Sequence, residues 1–148
     1  MPVFNEEKYL KESIVSILDQ DYENFELIIS DNASTDQTEC ICIEFAQKDS
    51  RIKYIRNNVN IGAHNNFFKV FKKAKGEFFM FAGGHDLWSK NFISTCMKTL
   101  QESPGTVLSF ATTIWIDKSN QPVEKNLHFM TQDALTQLHA LCLFYGGR

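Results

Sequence analysis

Strand-length apolar runs alternate with amphipathic helical segments along this 148-residue chain, and this alternation constrains its fold more than any other feature. The apolar runs fit strands buried on both faces, and the segments between them repeat apolar residues every three or four positions. The predicted strands are 25–30, 51–57, 77–82 and 106–116 after a stub at 1–4, and the predicted helices are about 6–20, 34–49, 63–74, 90–102 and 131–144. A hairpin turn predicted at 117–120 leads to a further predicted strand at 122–127. Strands that alternate with helices indicate βαβ units, so we expect an α/β fold with a mostly parallel sheet flanked by helices.

Composition and charge limit the functional classes. Hydrophobic residues make up 43% of the chain and charged residues 22%, which excludes disorder and a collagen-like fibre. The length predicts one domain. The net charge of −3 argues against a nucleic-acid partner, because domains that bind nucleic acid normally present a basic face. No run approaches the ~20 apolar residues of a membrane helix, and the N-terminus does not resemble a signal peptide, so we expect a cytoplasmic protein.

The cysteine and phenylalanine contents add two expectations. Four cysteines, at positions 40, 42, 96 and 142, match neither a zinc pattern nor a disulfide framework, so we expect reduced thiols in the core. Thirteen phenylalanines predict either a large core or an exposed aromatic face through which the chain meets a partner or forms an oligomer.

Two helix starts carry residues that are typical of N-caps. Asn5 is followed by Glu6 and Glu7, and acidic residues in the first turn of a helix interact favourably with its dipole. Ser34 is followed three residues later by Gln37, which is the spacing of a capping box. We therefore expect Asn5 and Ser34 to cap the first and second helices.

The carboxyl ends of the predicted strands carry polar residues or glycines. Ligands of parallel α/β sheets bind beyond these ends, which makes them the candidate site. Asp31 follows a buried strand, where its carboxylate could accept from a nucleobase N–H or a ribose hydroxyl, or serve the turn itself. Asp36 fits either a ligand contact or an ordinary first-turn acid. Asn60 and Gly62 fit a polar rim over a ligand or a turn with a cap.

Gly83, Gly84, His85 and Asp86 form the most informative of these ends. Two glycines allow a close approach of the backbone or a positive φ. Aspartate suits Mg²⁺ or Mn²⁺ beside phosphate oxygens, and histidine suits Mn²⁺ better than Mg²⁺. The glycine spacing does not fit a dinucleotide or Walker phosphate loop.

Several motifs in order resemble the family 2 glycosyltransferases, which have the Rossmann-like GT-A fold. The match is close over residues 1–100 and looser beyond. The motifs are Pro2-Val3-Phe4-Asn5-Glu6-Glu7-Lys8-Tyr9-Leu10, Ser16-Ile17-Leu18-Asp19-Gln20, Phe25 to Asp36, Arg51 to Asn57, Asn60-Ile61-Gly62, Lys75-Gly76-Glu77-Phe78 and Asp86-Leu87-Trp88.

The resemblance implies an enzyme that transfers a sugar, usually with inversion, from a nucleotide-sugar to a hydroxyl of a glycan or lipid-linked acceptor. A divalent cation, Mn²⁺ or Mg²⁺, would offset the charge of the leaving diphosphate. A lipid-linked acceptor implies peripheral association with the inner face of the membrane. By motif position, Pro2, Val3, Asn5 and Glu6 would line the nucleotide pocket, Asp31 would contact the base and Asp36 would lie near it. The full set of candidate nucleotide-sugar contacts is Pro2, Val3, Asn5, Glu6, Asp31, Asp36, Asn60, Gly62, Gly84, His85 and Asp86.

The chain departs from the family pattern at its metal motif. The usual Asp-X-Asp reads Gly84-His85-Asp86. Either Asp86, with His85, still holds the metal, or metal binding is altered or lost. Asp117, which lies in the predicted turn, is the candidate for the base that deprotonates the acceptor.

The chain also reads as shortened relative to the family. We expect residues 1–103 to form the nucleotide-sugar-binding half and residues 104–148 to begin an incomplete acceptor half. A first alternative is a catalytically impaired relic that serves as a nucleotide-binding or interaction module. A second is an unrelated doubly wound nucleotide-binding protein, in which Asp31 would have no special role.

Overall fold

The computed structural model describes residues 1–123, and in this range it contains a parallel sheet flanked by helices. The sheet has three strands in the order β1-β2-β3. In chain order, the elements are β1 (Pro2–Val3), α1 (Leu10–Leu18), β2 (Leu27–Asp31), α2 (Thr38–Lys48), β3 (Ile52–Arg56), α3 (Ala63–Lys73) and α4 (Phe92–Glu102). The predicted α/β architecture with a parallel sheet is confirmed.

The register of the sheet brings the ends of its strands together. All five residues of the central strand β2 are buried, as expected for a strand covered on both faces. Asp31, the last residue of β2, pairs with Val3 on one side and with Arg56 on the other. The loops that follow the three strands therefore leave the sheet at one edge.

The hydrophobic core lies between the sheet and α1. Leu10, Ile14 and Ile17 project from one face of α1 and are almost fully buried, as is Ile29 of β2. Their three- and four-residue spacing is the helical pattern that predicted this element. Each such side chain contributes about 1.5–3 kcal/mol through burial, so this layer anchors the loops of the site.

Two predicted strands are absent from the described part of the chain. Residues 77–82 pack against the core through Met80 and Ala82 but join no ladder, because the adjacent edge strand β1 is only two residues long. Residues 106–116 are largely exposed and find no sheet partner within residues 1–123. The predicted hairpin turn at 117–120 is confirmed, since Ile116 and Pro122 form an antiparallel bridge around it.

Both predicted N-caps are wrong. α1 begins at Leu10, and Asn5 instead turns the chain with a φ of 54°. α2 begins at Thr38, and its N-cap residue Gln37 makes no side-chain capping bond. The side chains of Asn5 and Ser34 bond to each other's loops because the two loops run side by side.

Three cysteines lie in the described residues, and all three are free. Cys42 and Cys96 are buried as expected, whereas Cys40 is exposed because it faces outward from α2. Burial raises the pKa of the Cys42 thiol to about 12, which keeps it protonated. The predicted helix at 131–144, which includes Cys142, and most of the predicted strand at 122–127 lie outside the described residues. None of the helices within residues 1–123 has the length and apolar character that a bilayer span requires.

Candidate functional site

Hydrogen bonds join the loop after β1 to the loop after β2 at the carboxyl edge of the sheet. The Asn5 amide donates to Ser34 Oγ at 2.9 Å, and the Thr35 amide donates to Asn5 Oδ1 at 2.9 Å. Asn5 and Ala33 adopt φ values of 54° and 62°, in the left-handed region that asparagine tolerates better than alanine. Asn5 thus positions both loops, while its amide oxygen is already used within the protein.

A second set of bonds extends this connection toward α2. The Glu6 amide donates to Thr38 Oγ1 at 2.8 Å, and the Glu7 amide donates to Asp36 Oδ2 at 3.1 Å. The Gln37 amide donates to Glu7 Oε2 at 2.9 Å. Desolvation raises the pKa of Asp36, but hydrogen bonds from Thr38 and the Glu7 amide outweigh it and hold that pKa below its ordinary value. Asp36 therefore connects the two loops as an ionised carboxylate.

Asp31 is fully buried at the end of β2 and is held by both of its oxygens. Oδ1 accepts from the Ser34 amide at 2.8 Å, and Oδ2 accepts from the Tyr54 hydroxyl at 3.0 Å. Arg56 Nε lies 3.5 Å from Oδ2 and 3.0 Å from Glu39. Burial, followed by the bond to Asp31, raises the pKa of Tyr54 above its ordinary value, so its hydroxyl remains a donor. In this conformation the carboxylate orders the loop after β2.

Buried amides form a network that the sequence patterns did not reveal. Ser30 Oγ donates to Asn66 Oδ1 at 2.7 Å, and Asn66 Nδ2 donates back to the Ser30 carbonyl at 2.8 Å. Asn57 Nδ2 donates to Asn32 Oδ1 at 2.9 Å, and Asn32 Nδ2 donates to Asn60 Oδ1 at 2.8 Å. The only signal in the sequence was the repeated asparagine at strand ends and in the start of α3. The network ties β2, β3 and α3 to the loop before α3.

The loop before α3 is positioned by Asn60 and Gly62. Asn60 Oδ1 also accepts from the Gly62 amide at 2.9 Å. Gly62 has a φ of 83°, and a Cβ built there would meet no atom within 4 Å. Glycine is therefore required here by backbone conformation and not by crowding. Lys69 Nζ bonds to Asn57 Oδ1, which brings a positive charge to the end of β3.

The glycines at 83 and 84 allow neighbouring side chains to approach the backbone closely. A Cβ at Gly84 would lie 3.1 Å from Val3 Cγ1 and 3.2 Å from Glu6 Cγ, and a Cβ at Gly83 would lie 2.4 Å from Asp86 Oδ2. Of the two explanations that the sequence left open, the structure supports close approach, because the positive-φ glycines in residues 1–123 lie elsewhere. The Gly84 backbone consequently rests on the end of β1, and the Asp86 carboxylate folds over Gly83.

His85 and Glu6 form the contact between these two loops. His85 Nδ1 lies 3.1 Å from Glu6 Oε1, and both His85 and Asp86 are exposed. With the Nδ1 proton directed to Glu6, the second ring nitrogen is left for a ligand. Within residues 1–123, no group of three or more metal-ligating side chains is arranged to hold an ion by itself.

A cavity of about 310 Å³ lies between this contact and the hairpin. Its lining includes Glu6, Glu12, His85 and Asp117. Asp117 Oδ1 accepts from the amides of Ser119 and Gln121, at 2.7 and 3.0 Å, so this residue supports the turn. The structure therefore brings the candidate base to the same cavity as His85, a proximity that no local pattern predicted.

The predicted site residues, apart from Pro2, fall into three groups at the carboxyl edge of the sheet. Around the cavity are Glu6, His85 and Asp117, with Val3, Gly84 and Asp86 beside them. At the ends of β2 and β3 are Asp31, Asn60 and Gly62. Asn5 and Asp36 connect the loops after β1 and β2. Pro2 lies within β1, paired with Ser30, and is not among the residues that line the cavity.

Comparisons with known proteins identify relatives of the chain. The family described as Glycosyl transferase family 2 matches residues 1–145. Glycosyltransferase GlyG of Streptococcus pneumoniae serotype 4 is 32% identical over 108 residues, which cover 73% of this chain and 36% of that protein. The GalNAc(5)-diNAcBac-PP-undecaprenol beta-1,3-glucosyltransferase of Campylobacter jejuni is 34% identical over 103 residues, which cover 69% of this chain and 33% of that protein.

Solved structures that resemble the chain are also glycosyltransferase structures. The S. aureus TarS 1–349 structure in complex with UDP-GlcNAc superposes with a TM-score of 0.64 and 30% sequence identity, covering 68% of this chain and 30% of that one. This likeness confirms the predicted GT-A fold. The chain spans about a third of the length of these three proteins.

Proposed function

The chain belongs to glycosyl transferase family 2, and on that premise we propose that it binds a nucleotide-sugar and serves its transfer, with inversion, to a hydroxyl of a glycan or lipid-linked acceptor. The observation that carries the proposal is the packing of Gly84 and His85 against Glu6 at the carboxyl edge of the sheet, with Asp86 folded over Gly83 beside them. Ligands of parallel α/β sheets bind at this edge. Residues 1–103 would hold the donor, and residues 104–148 would contribute to the acceptor side.

The ends of β2 and β3 are the proposed nucleoside subsite. The Asn60 loop and Lys69 lie there, and the amide network holds the loop in place. Asp31 lies beneath them, fully buried with both oxygens bonded, so it would reach a base only if the loop after β2 opened. The name of the TarS complex includes UDP-GlcNAc, and the name of the Campylobacter relative includes a diphosphate-linked undecaprenol. These names support a UDP-sugar donor and a lipid-linked acceptor for this chain, and with that acceptor a peripheral position at the inner face of the membrane.

The donor set around Asp86 fits a divalent cation. Asp86 offers carboxylate oxygens, and His85 offers a ring nitrogen whose partner nitrogen is oriented by Glu6, as in carboxylate–histidine–metal arrangements. Cations of this kind commonly take one or two protein ligands and complete their shell with substrate phosphates and water. A histidine beside the carboxylate favours Mn²⁺. When bound, the cation would offset the charge that develops on the diphosphate.

Asp117 is the proposed base. It lines the same cavity as Glu6 and His85, so an acceptor hydroxyl in that cavity could pass its proton to the Asp117 carboxylate. A second candidate function is supported by the loss of the first carboxylate of the metal motif to Gly84, which would leave a module that binds nucleotide without turnover.

The experiment that separates these candidates measures UDP release from UDP-glucose and UDP-GlcNAc in the presence of Mn²⁺, with and without a diphosphate-linked lipid glycan. The proposed enzyme releases UDP faster when the acceptor is present, and Asp117→Asn lowers that rate by about a hundredfold or more. Lys118→Gln, which removes a charge from the lining of the same cavity, shows how much of that loss comes from charge alone. Binding of the donors without release would favour the second candidate, and absence of both would contradict the proposal.

A further inference from the structure

The buried face of α1 is apolar except for a stripe of three polar side chains, two within the helix and one just after its C-terminal end. Ser13 and Gln20 are buried and Ser16 is half-buried, and together they make up what we call the α1 polar stripe. Ser16 and Gln20 belong to a motif of the sequence to which no role has so far been given. Buried hydroxyl and amide groups destabilise a fold unless they are hydrogen-bonded, so their partners indicate what the stripe does.

The stripe bonds to both ends of the segment that carries His85 and Asp86. Ser13 Oγ donates to the Gly83 carbonyl at 2.9 Å, just before these two residues. Ser16 Oγ accepts from the Trp88 amide at 3.2 Å, just after them. Apart from the turn at residues 84–85, the backbone of 84–88 makes no hydrogen bond to other backbone within residues 1–123. The placement of this loop therefore depends on side chains, mainly those of the stripe and of Glu6.

Gln20 fixes the continuation of the same segment. Its Nε2 donates to the Ser89 carbonyl at 2.8 Å and to the Ser16 carbonyl at 3.1 Å, and its Oε1 accepts from the Ile93 amide at 2.9 Å. The N-cap residue of α4, Asn91, makes no side-chain capping bond. Gln20 thus takes the place of a local cap and ties the start of α4 to the end of α1.

We propose that Ser13, Ser16 and Gln20 are positioning residues, which hold His85 and Asp86 where the diphosphate and its cation bind. This inference rests on the proposed function. The three side chains touch the loop backbone and not the ligand, so they would act through the two residues between their anchoring points. Losing an anchor would shift the cation ligands and leave the nucleoside subsite, at the ends of β2 and β3, unchanged.

The test compares a nucleoside diphosphate with its nucleoside. The wild-type chain is first titrated with UDP, GDP and dTDP in MnCl₂ to find which diphosphate binds. The affinities of Ser16→Ala and Gln20→Met are then measured for that diphosphate and for its nucleoside. We expect both variants to lose about tenfold in diphosphate affinity, which is the effect of about one hydrogen bond, and to bind the nucleoside within about twofold of wild type. Ser16→Thr keeps the hydroxyl and should retain wild-type affinity.

The matched control is Ser94→Ala, because the Ser94 hydroxyl donates to Asn91 O within α4 and does not touch the loop. If Gln20→Met does not fold, the comparison of Ser16→Ala with Ser16→Thr is the test. The inference is overturned if the variants bind the diphosphate like wild type, if they lose the nucleoside equally, or if Ser16→Thr behaves like Ser16→Ala. Failure of wild-type chain to bind any of the three diphosphates is a different result, since it overturns the proposed function itself.

Discussion

His85 Nδ1 lies 3.1 Å from Glu6 Oε1, although 79 residues separate the two in the chain. The contact joins the loop after β1 to the segment that replaces the family's usual metal motif. It orients one ring nitrogen of His85 and thereby makes the other available to a ligand. Glu6 thus supports the proposed cation site, in which Gly84 stands where the family pattern has its first carboxylate.

Replacing Glu6 by glutamine tests this support. Glu6→Gln keeps the size of the side chain but removes the charge that holds the His85 ring. We expect Mn²⁺-dependent affinity for the nucleoside diphosphate to fall about tenfold, measured by calorimetry, because groups that hydrogen-bond to a metal-binding side chain typically contribute this much. Glu12→Gln, on the same cavity, is the control. Equal losses in both variants would mean that general charge, and not this contact, matters.

Gly83→Ala tests the close approach of Asp86. The new Cβ would lie 2.4 Å from Asp86 Oδ2, so the flexible carboxylate must move while the backbone need not. We expect the free energy of unfolding in urea to stay within about 1 kcal/mol of wild type, and Mn²⁺-dependent nucleotide affinity to fall. Gly105→Ala should instead lower the free energy of unfolding and leave nucleotide affinity unchanged, because Gly105 has a φ of 84° with open space around it. Unchanged nucleotide affinity in Gly83→Ala would count against a cation role for Asp86.

Asp31 is expected to matter for stability as well as for binding. Asp31→Ala leaves the Ser34 amide and the Tyr54 hydroxyl without their acceptor, so we expect a loss of about 2–4 kcal/mol in the free energy of unfolding. Tyr54→Phe removes one neutral donor and should cost about 1 kcal/mol. Urea denaturation measures both. Wild-type stability in Asp31→Ala would show that the buried carboxylate does not order its loop.

Asp36 predicts a pH dependence of stability. Its folded-state pKa is lowered, so its contribution is complete above the ordinary carboxyl pKa and is lost as pH falls through the lowered value. Asp36→Asn should therefore lower the unfolding temperature at about pH 7 and lower it by a smaller amount at about pH 3. Thermal unfolding at the two pH values measures this. A constant difference between the two proteins would exclude the linkage.

Local patterns predicted the elements whose partners are close in sequence. The buried run that became β2 and the apolar spacing of α1 depend only on neighbours, and both elements formed, although α1 begins about four residues later than predicted. The prediction failed at 77–82, where an apolar run found an edge strand of only two residues to pair with. It also failed at Ser34, which fits a capping box by spacing but bonds to Asn5, 29 residues away.

The site was predictable as a set of strand ends but not as a set of contacts. Parallel strands place Asp31 and Asn57 at one edge, and the motif order identified the loop at 84–86. The bond between His85 and Glu6, and the cavity they share with Asp117, depend on how distant loops pack. No period or spacing in the chain encodes that packing.

The most direct test of the account is the Mn²⁺ dependence of nucleotide binding in wild type and in Asp86→Asn. Calorimetry with UDP, GDP and dTDP, each with and without MnCl₂, gives the affinities. We predict that Mn²⁺ raises the affinity of wild type for one of these diphosphates by about tenfold or more, and that Asp86→Asn removes this gain while keeping the cation-free affinity. Equal gains in the two proteins, or no binding of any diphosphate by wild type, would contradict the account.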